Sequence, residues 1–307
     1  MPYKYRFTIF TPSYNRKETL HRAYESLCEQ TYKDFEWLII DDGSTDNTSE
    51  LVKGWIKENK FPIKYICQEN HHKFFTLLKA ARLAKGELFI GLDSDDKCTP
   101  DSLEKLSTYW KDIPDETRLG YSGLTTLCVD QHGKLVGKKF PSDIFDSDTA
   151  ESLLKYHVTG EKWGFIRTDI MQMFSYPDNY FANGYIPEGV IWMSIAKMGY
   201  KTRYINDALR IYYVDENDSA ISFNPGARRN SFGSMVYQQF MLNNFLKYFR
   251  NNPRYFISSI VNYTVNSFFQ GKKIKQSFSG LNNFWIKSLF ILLLPVSYYK
   301  KWRIGRE

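Results

Sequence analysis

AKGELFIGLDSDD, residues 84–96, is the stretch that decides the fold of this 307-residue chain. Its apolar part, Glu87–Leu92, predicts a strand, because a short apolar run bounded by glycine and polar residues is typical of one. The strand leads into Asp93–Asp96 (DSDD). Three carboxylates so close together repel one another, so the sequence indicates either a compensating cation or a solvated acidic turn that caps the helix after Pro100.

Two earlier apolar runs end in polar clusters in the same way. Tyr5–Thr11 (YRFTIFT) leads into Thr11–Arg16 (TPSYNR), and Phe35–Ile40 (FEWLII) leads into Asp41–Ser44 (DDGS). Helical patterns separate the runs, and this alternation predicts a parallel sheet covered by helices. Because the carboxyl ends of parallel strands share one edge, we expect all three clusters to converge where open α/β sheets bind ligands.

The remaining elements are predicted from local patterns. Asn15 and Glu18 form a capping box that predicts a helix start. A third strand is expected at Ile63–Cys67, a helix from about Lys73 to Ala84, and another over Ile186–Met198.

The acidic clusters suggest what this edge binds. Hard divalent cations such as Mg²⁺ or Mn²⁺ prefer carboxylate oxygens and also hold phosphates, so Asp93 and Asp95 are candidate metal ligands, with Asp96 nearby. In the Asp41–Asp42 pair, one carboxylate can accept a hydrogen bond from a base N–H while the other braces the loop. The alternative is an ordinary turn before a capped helix. The sequence contains no G-x-G-x-x-G and no G-K-[ST] motif, which disfavours dinucleotide-binding and P-loop proteins.

Charge is divided unevenly along the chain. Residues 219–307 contain thirteen Lys and Arg and one acid, whereas acids outnumber bases in the rest. A basic, aromatic-rich segment predicts an anionic partner, and the lack of a nucleic-acid-binding motif favours lipid. The run Phe284–Tyr299 is interrupted by Lys287 and Pro295 and is shorter than the ~20 apolar residues that span a bilayer. It therefore predicts an interfacial anchor, the alternative being a helical extension packed on the rest of the chain.

The cysteines and the amino terminus indicate a compartment. The four cysteines form no C-x-x-C pair, which suggests reduced thiols in the cytosol. The first strand is not preceded by a signal-peptide pattern. Together with the basic segment, these features predict a cytoplasmic protein held peripherally on the inner face of the cell membrane.

The three polar clusters resemble motifs of the family-two glycosyltransferases. The matching stretches are TPSYNR (Thr11–Arg16), SLCEQTYKDFEWLIIDDGSTD (Ser26–Asp46) and AKGELFIGLDSDD (Ala84–Asp96). The resemblance is dense over about residues 6–105 and thinner to about 215. It implies an α/β GT-A (Rossmann-like) fold, with a mostly parallel sheet, helices on both faces and a C-terminal helical extension.

The resemblance also implies a domain division and an activity. A catalytic domain would cover 1–218, with a nucleotide-binding half to about 105 and an acceptor half over 106–218, followed by the basic extension over 219–307. The implied reaction is inverting transfer of a sugar from a nucleoside diphosphate, first of all UDP, to a hydroxyl of a saccharide or lipid-linked acceptor in cell-surface polysaccharide synthesis. The implied cofactor is Mn²⁺ or Mg²⁺. The alternatives are a non-catalytic binding or scaffold relative and a nucleotidyltransferase.

Individual residues receive roles from the same resemblance. The nucleotide-sugar site would be formed by Thr11, Pro12, Tyr14, Asp41, Asp42, Lys73, Asp93, Ser94 and Asp95. Asp42 would bind the pyrimidine edge, Lys73 the base or phosphate, and Asp93 and Asp95 the metal. Tyr14 suits stacking on a base, although a buried core tyrosine is the alternative.

A general base is needed to take the proton of the acceptor hydroxyl. The family usually has an acidic pair before a helix with a Trp four residues later. Ile186–Trp192 (IPEGVIW) has this shape with a single acid, Glu188, which is the expected base. The alternative for Glu188 is a helix N-terminal residue that favours the macrodipole, and Glu161 is the second candidate base.

Overall fold

The computed structural model describes residues 3–176, 186–214 and 230–304, which form two compact units. The described parts of the first unit are 3–148, 158–176 and 199–214. Those of the second are 149–157, 186–198 and 230–304. The second unit thus includes two short segments from before residue 218, in addition to the expected C-terminal extension.

A mixed β-sheet forms the centre of the first unit. Its strands are β1 Tyr5–Ser13, β2 Phe35–Asp41, β3 Ile63–Cys67, β4 Gly86–Gly91, β5 Lys97–Cys98, β6 Tyr121–Asp130, β7 Ile144–Ser147, β8 Lys162–Arg167 and β9 Lys201–Tyr212. Their order is β3-β2-β1-β4-β8-β6-β9-β5, with β7 also paired to β9. The first four strands pair in parallel, as expected, and β8 runs antiparallel between β4 and β6.

Helices flank the sheet because alternate strand residues point to opposite faces. The described helices up to residue 172 are α1 His21–Cys28, α2 Thr48–Glu58, α3 Lys73–Leu83, α4 Ser102–Lys111, α5 Asp115–Arg118, α6 Thr149–Leu154 and α7 Thr168–Gln172, of which α6 belongs to the second unit. Phe7 and Ile9 of β1 share a buried core with residues of α1, α2 and α4. Phe10, which alternates with them, stacks on Phe89 of β4, and α3 and α7 pack against β1 and β4. The expected α/β architecture is confirmed.

The first helix does not begin at the expected capping box. It begins at His21, whereas Asn15 has a left-handed φ of 53°. Asn15 accepts a hydrogen bond from the Thr45 backbone N–H at 2.8 Å and donates its own N–H to Ser44 Oγ at 2.8 Å. The prediction was wrong because Asn15 ties together the loops after β1 and β2 instead of capping a helix.

The second unit is helical and has its own core. Its later helices are α8 Gly189–Lys197, α9 Ser231–Asn244, α10 Pro253–Phe269, α11 Ile274–Ser279, α12 Phe284–Leu292 and α13 Leu294–Ile304. Ile286 and Phe290 of α12 are fully buried in this core, together with Phe256 of α10. Trp285 and Leu292 of the same helix are 70% and 72% exposed. Among the described residues, none of the helices has the length and apolarity needed to cross a bilayer.

Candidate active site

The loops after β1, β2 and β4 lie side by side at the carboxyl edge of the sheet. The parallel register places Ser13 opposite Asp41 and Phe10 opposite Gly91. Backbone hydrogen bonds continue beyond the strands, from Asp42 N–H to the Ser13 carbonyl and from Leu92 N–H to the Phe10 carbonyl, each 2.8 Å long. The structure therefore brings the three polar clusters together, as the sequence predicted.

The two aspartates after β2 have different surroundings. Asp41 is buried and accepts hydrogen bonds from the Ser44 backbone N–H at 2.8 Å and from the Tyr65 hydroxyl. Burial and the bond to Asp41 raise the pKa of Tyr65, so this hydroxyl stays protonated. Asp41 thus fixes the loop from within.

Asp42 is held through a single oxygen. Its Oδ1 accepts from Gln68 Nε2 at 2.8 Å and from the His71 backbone N–H at 2.9 Å. Gln68 is oriented in turn by Lys79, whose Nζ donates to Gln68 Oε1 at 2.6 Å. Within the described parts of the chain, Asp42 Oδ2 makes no hydrogen bond, so this atom can accept one from a ligand.

The end of β1 and the loop after it contain the other nucleoside candidates. The Thr11 hydroxyl accepts a 2.9 Å hydrogen bond from the Trp37 indole, so its side chain is engaged with the core. Pro12 is half-buried, and Tyr14 is 51% exposed. Tyr14 is therefore not a core residue, and its ring is available for stacking.

Two cations hold Asp93. Lys73 Nζ donates to its Oδ1 at 2.7 Å, and Arg210 Nη2 donates to its Oδ2 at 2.8 Å. Burial opposes the negative charge of Asp93, but Lys73 and Arg210 outweigh burial and hold its pKa well below the ordinary range. Much of the charge compensation that the sequence required is thus provided by the chain's own bases.

Asp96 is fully buried and is paired with the same arginine. Its Oδ2 accepts from Arg210 Nε at 2.7 Å and from Arg210 Nη2, and its Oδ1 accepts from the Tyr213 backbone N–H at 2.9 Å. Burial would lower the pKa of Arg210, but Asp93 and Asp96 raise it, so the guanidinium stays charged. Because both of its oxygens are engaged inside the protein, Asp96 does not suit the possible metal-ligand role.

Asp95 is half-buried between two other arginines. Arg16 Nη2 lies 3.9 Å from its Oδ2, and Arg22 Nη1 donates to its carbonyl at 3.1 Å. Ser94 beside it is buried. Within the described ranges, three or more His, Cys, Asp or Glu side chains nowhere form a group suited to a metal. The donor set instead fits an ion such as Mg²⁺, which is commonly held by one or two carboxylates together with substrate phosphates.

The two candidate bases belong to different units. Glu188 is the half-buried N-cap residue of α8 in the second unit, and its side chain does not cap the helix. Glu161 is exposed and directly precedes β8 in the first unit. Because β8 is antiparallel to β4, Glu161 lies at the sheet edge that also bears Asp93.

Three residues of this edge were missed in the sequence. Tyr65 and Gln68 lie at the end of β3, so the rule used for the other strands also applies to them. Arg210 gave no such signal, because it is one of three bases in β9, and its partner Asp96 is 114 positions away.

Comparisons with known proteins show what the chain is similar to. The model of "Glycosyl transferase family 2" matches residues 8–120. A β-1,3-glucosyltransferase of Campylobacter jejuni that acts on GalNAc(5)-diNAcBac-PP-undecaprenol is 25% identical over 74% of this chain and 70% of its own length. The putative teichuronic acid biosynthesis glycosyltransferase TuaG of Bacillus subtilis is 24% identical over 78% of this chain and 90% of its own length.

A solved structure shares the fold. The crystal structure of S. aureus TarS 1–349 in complex with UDP-GlcNAc has a TM-score of 0.61 and 18% identity, and the alignment covers 95% of this chain and 80% of that one. The family-model match over residues 8–120, these relatives and the shared fold together show that the chain is similar to the glycosyltransferases of family 2.

Proposed function

We propose that this glycosyltransferase transfers a sugar, with inversion, from a UDP-sugar to a hydroxyl of a saccharide or lipid-linked acceptor in cell-surface polysaccharide synthesis. The observation that carries the proposal is the edge of the first unit, where Asp42 offers one free carboxylate oxygen and Lys73 lies beside Asp93. The relatives support it, since one acts on an undecaprenol-linked glycan and a structural relative binds UDP-GlcNAc.

The free oxygen of Asp42 favours uracil as the base. Uracil presents an N–H at its third ring position, whereas cytosine presents an acceptor there, which a carboxylate repels. Pro12 and Tyr14 complete the nucleoside site, with Tyr14 stacking on the base, and the buried Thr11 supports them through its hydrogen bond with Trp37. Lys73 attracts the diphosphate, as point-charge ammonium groups do.

A divalent ion fits this site only when phosphate oxygens of the bound sugar nucleotide complete its coordination. Asp95 is the carboxylate that we propose as its ligand, together with phosphate oxygens, because both oxygens of Asp93 are engaged. Such an ion, when bound, stabilises the charge that develops on the leaving diphosphate. A structural relative, a mannosyltransferase of Pyrobaculum calidifontis, was solved with GDP-Man and Mn²⁺.

Glu188 is the proposed general base. Its carboxylate takes the proton of the acceptor hydroxyl while the oxygen attacks the anomeric carbon and the bond to the diphosphate breaks. This direct displacement inverts the anomeric centre.

The test is a donor panel in which release of UDP is measured with and without Mn²⁺, alongside the affinities for UDP and CDP. We expect release of UDP, and tighter binding of UDP than of CDP by wild type. Asp42→Asn should lose this preference, whereas Asp34→Asn, an exposed aspartate just before the other end of the same strand, should retain it. In a parallel reaction with UTP and a sugar 1-phosphate, release of pyrophosphate would identify a nucleotidyltransferase, and a scaffold would release neither UDP nor pyrophosphate.

We also propose that the second unit binds anionic lipid on the inner face of the cell membrane. Large apolar side chains on α12 and α13 are about half exposed or more: Phe284, Trp285, Leu292, Val296, Tyr299 and Trp302. Lys301 and Arg303 lie in the last turn of α13. Aromatic side chains beside bases are typical of peripheral anchors, and each base adds ~1 kcal/mol near an anionic surface.

A further inference from the structure

We infer that Arg210 is a positioning residue, which acts through Asp93 to hold the Lys73 ammonium where the donor diphosphate binds. The inference rests on the proposed donor site. It also gives Asp93 a different role from that of a metal ligand, because Asp93 becomes the link between two bases.

Arg210 is itself fixed by Asp96. Both residues are buried, with exposures of 5% and 0%, and two nitrogens of the guanidinium donate to the same carboxylate oxygen. The Tyr213 backbone N–H holds the other oxygen of Asp96. A buried charge persists only when it is paired and hydrogen-bonded, so this contact anchors the guanidinium.

Asp93 transmits this position to Lys73. Arg210 Nη2 donates a hydrogen bond to Oδ2 of Asp93, and Oδ1 of Asp93 accepts one from Lys73 Nζ. The charges therefore alternate in sign from Asp96 to Arg210, Asp93 and Lys73. One carboxylate shared by two cations neutralises neither of them fully, so Lys73 keeps an attraction for phosphate. The Lys73 side chain is 32% exposed, which leaves it accessible to a ligand.

The two roles of Asp93, metal ligand or positioning residue for Lys73, predict different effects of Mn²⁺ on UDP binding by Asp93→Asn. If Asp93 only bound a metal, Asp93→Asn would remove just the part of UDP binding that needs Mn²⁺. If Asp93 positions Lys73, the same substitution weakens UDP binding in EDTA as well. The asparagine keeps the shape of the side chain but lacks the charge that attracts both bases.

The experiment measures the UDP dissociation constant by calorimetry in EDTA for Arg210→Gln, Lys73→Met and the double variant. A charged hydrogen bond contributes about 1.5–3 kcal/mol, so we expect each single variant to bind roughly 10- to 100-fold more weakly. The double variant should be no weaker than Lys73→Met, because coupled residues are not additive. With UDP-sugar turnover, the donor KM should rise while the acceptor KM stays constant.

A second variant tests the inference if Arg210→Gln fails to fold. If Arg210→Gln unfolds because Asp96 is left unpaired, Arg210→Gln combined with Asp96→Asn removes both buried charges and should reproduce the loss of UDP affinity. A folded Arg210 variant that binds UDP within twofold of wild type overturns the inference, as does a double variant whose losses multiply. In either case UDP binding by wild type would leave the proposed function intact. If wild type binds no nucleoside diphosphate, both proposals fall.

Discussion

Two glutamates with the same chemistry have different surroundings in this protein. Glu188 is half-buried at the start of α8, and Glu161 is exposed before β8. A catalytic base must hold its acceptor in a fixed position, and a residue at the start of a buried helix is better fixed than one in an exposed turn. This contrast supports Glu188 as the base and makes Glu161 a natural comparison.

Glu188→Gln should lower kcat by about 10²–10⁴-fold, because glutamine keeps the size of the side chain but cannot accept the proton. The UDP dissociation constant should stay within twofold of wild type, since the proposed nucleoside contacts are made by residues of the first unit. Glu161→Gln is the matched control and should retain turnover. If Glu161→Gln is inactive while Glu188→Gln is near wild type, the two roles are exchanged.

At the level of elements, the loop after β6 depends on a glycine. Gly137 has φ +93°, and a Cβ there would stand 2.2 Å from the Thr159 carbonyl oxygen. Gly133 in the same loop also has a left-handed φ, of +78°, but a Cβ there would meet no atom within 4 Å. Alanine at Gly133 would introduce backbone strain alone, whereas alanine at Gly137 would introduce both backbone strain and a steric clash.

Gly133→Ala should destabilise the protein by about 1–2 kcal/mol, the usual cost of a left-handed alanine. Gly137→Ala should cost more, because the methyl group must also displace backbone atoms. The measurement is the urea midpoint followed by circular dichroism. Equal midpoints for the two variants would show that the loop relaxes without cost.

Helix α12 has one buried and one exposed face. Phe290→Ala should destabilise the second unit by about 3–5 kcal/mol, because it empties a fully buried aromatic site. Leu292→Ala, on the exposed face, should change stability by no more than about 0.5 kcal/mol. Thermal unfolding of both variants tests the two-faced arrangement, and comparable losses would contradict it.

The regular elements of the first unit could be predicted from local patterns. β2 covers Phe35–Asp41 where 35–40 was expected, and α3 covers Lys73–Leu83 where 73–84 was expected. Apolar runs and their polar ends determine such elements. The link from Asp96 to Arg210 could not be predicted, because it joins a loop to a distant strand that only the folded sheet brings close.

On the scale of the whole molecule, the C-terminal helices bear on two alternatives that the sequence left open, a packed extension and a lipid anchor. Ile286 and Phe290 belong to the core of the second unit, so these helices are packing elements. Trp285 and Leu292 remain exposed and so support the proposed lipid contact. Deletion of α12 would remove core residues, which makes point substitutions on its exposed face the better test.

Wild type should float with anionic vesicles, and binding should weaken with salt but persist in part, because buried apolar area is insensitive to screening. Trp285→Ser combined with Leu292→Ser should abolish the salt-resistant part. Ile257→Ser is the matched control, since Ile257 is 41% exposed on α10. Flotation of the double variant like that of wild type, or no flotation of wild type, would contradict lipid binding.

The hydrogen bond between the Trp37 indole and the Thr11 hydroxyl has an optical consequence. Trp37 and Trp55 lie with ring centroids 5.9 Å apart, and Tyr24 stacks on Trp55 at 4.3 Å. Closely stacked chromophores couple electronically, so this trio should dominate the near-ultraviolet dichroism. Because Thr11 lies near the end of β1, just before the loop proposed to receive the nucleoside, occupancy of that loop should shift the tryptophan emission. The protein should then report its own ligand binding without an added dye.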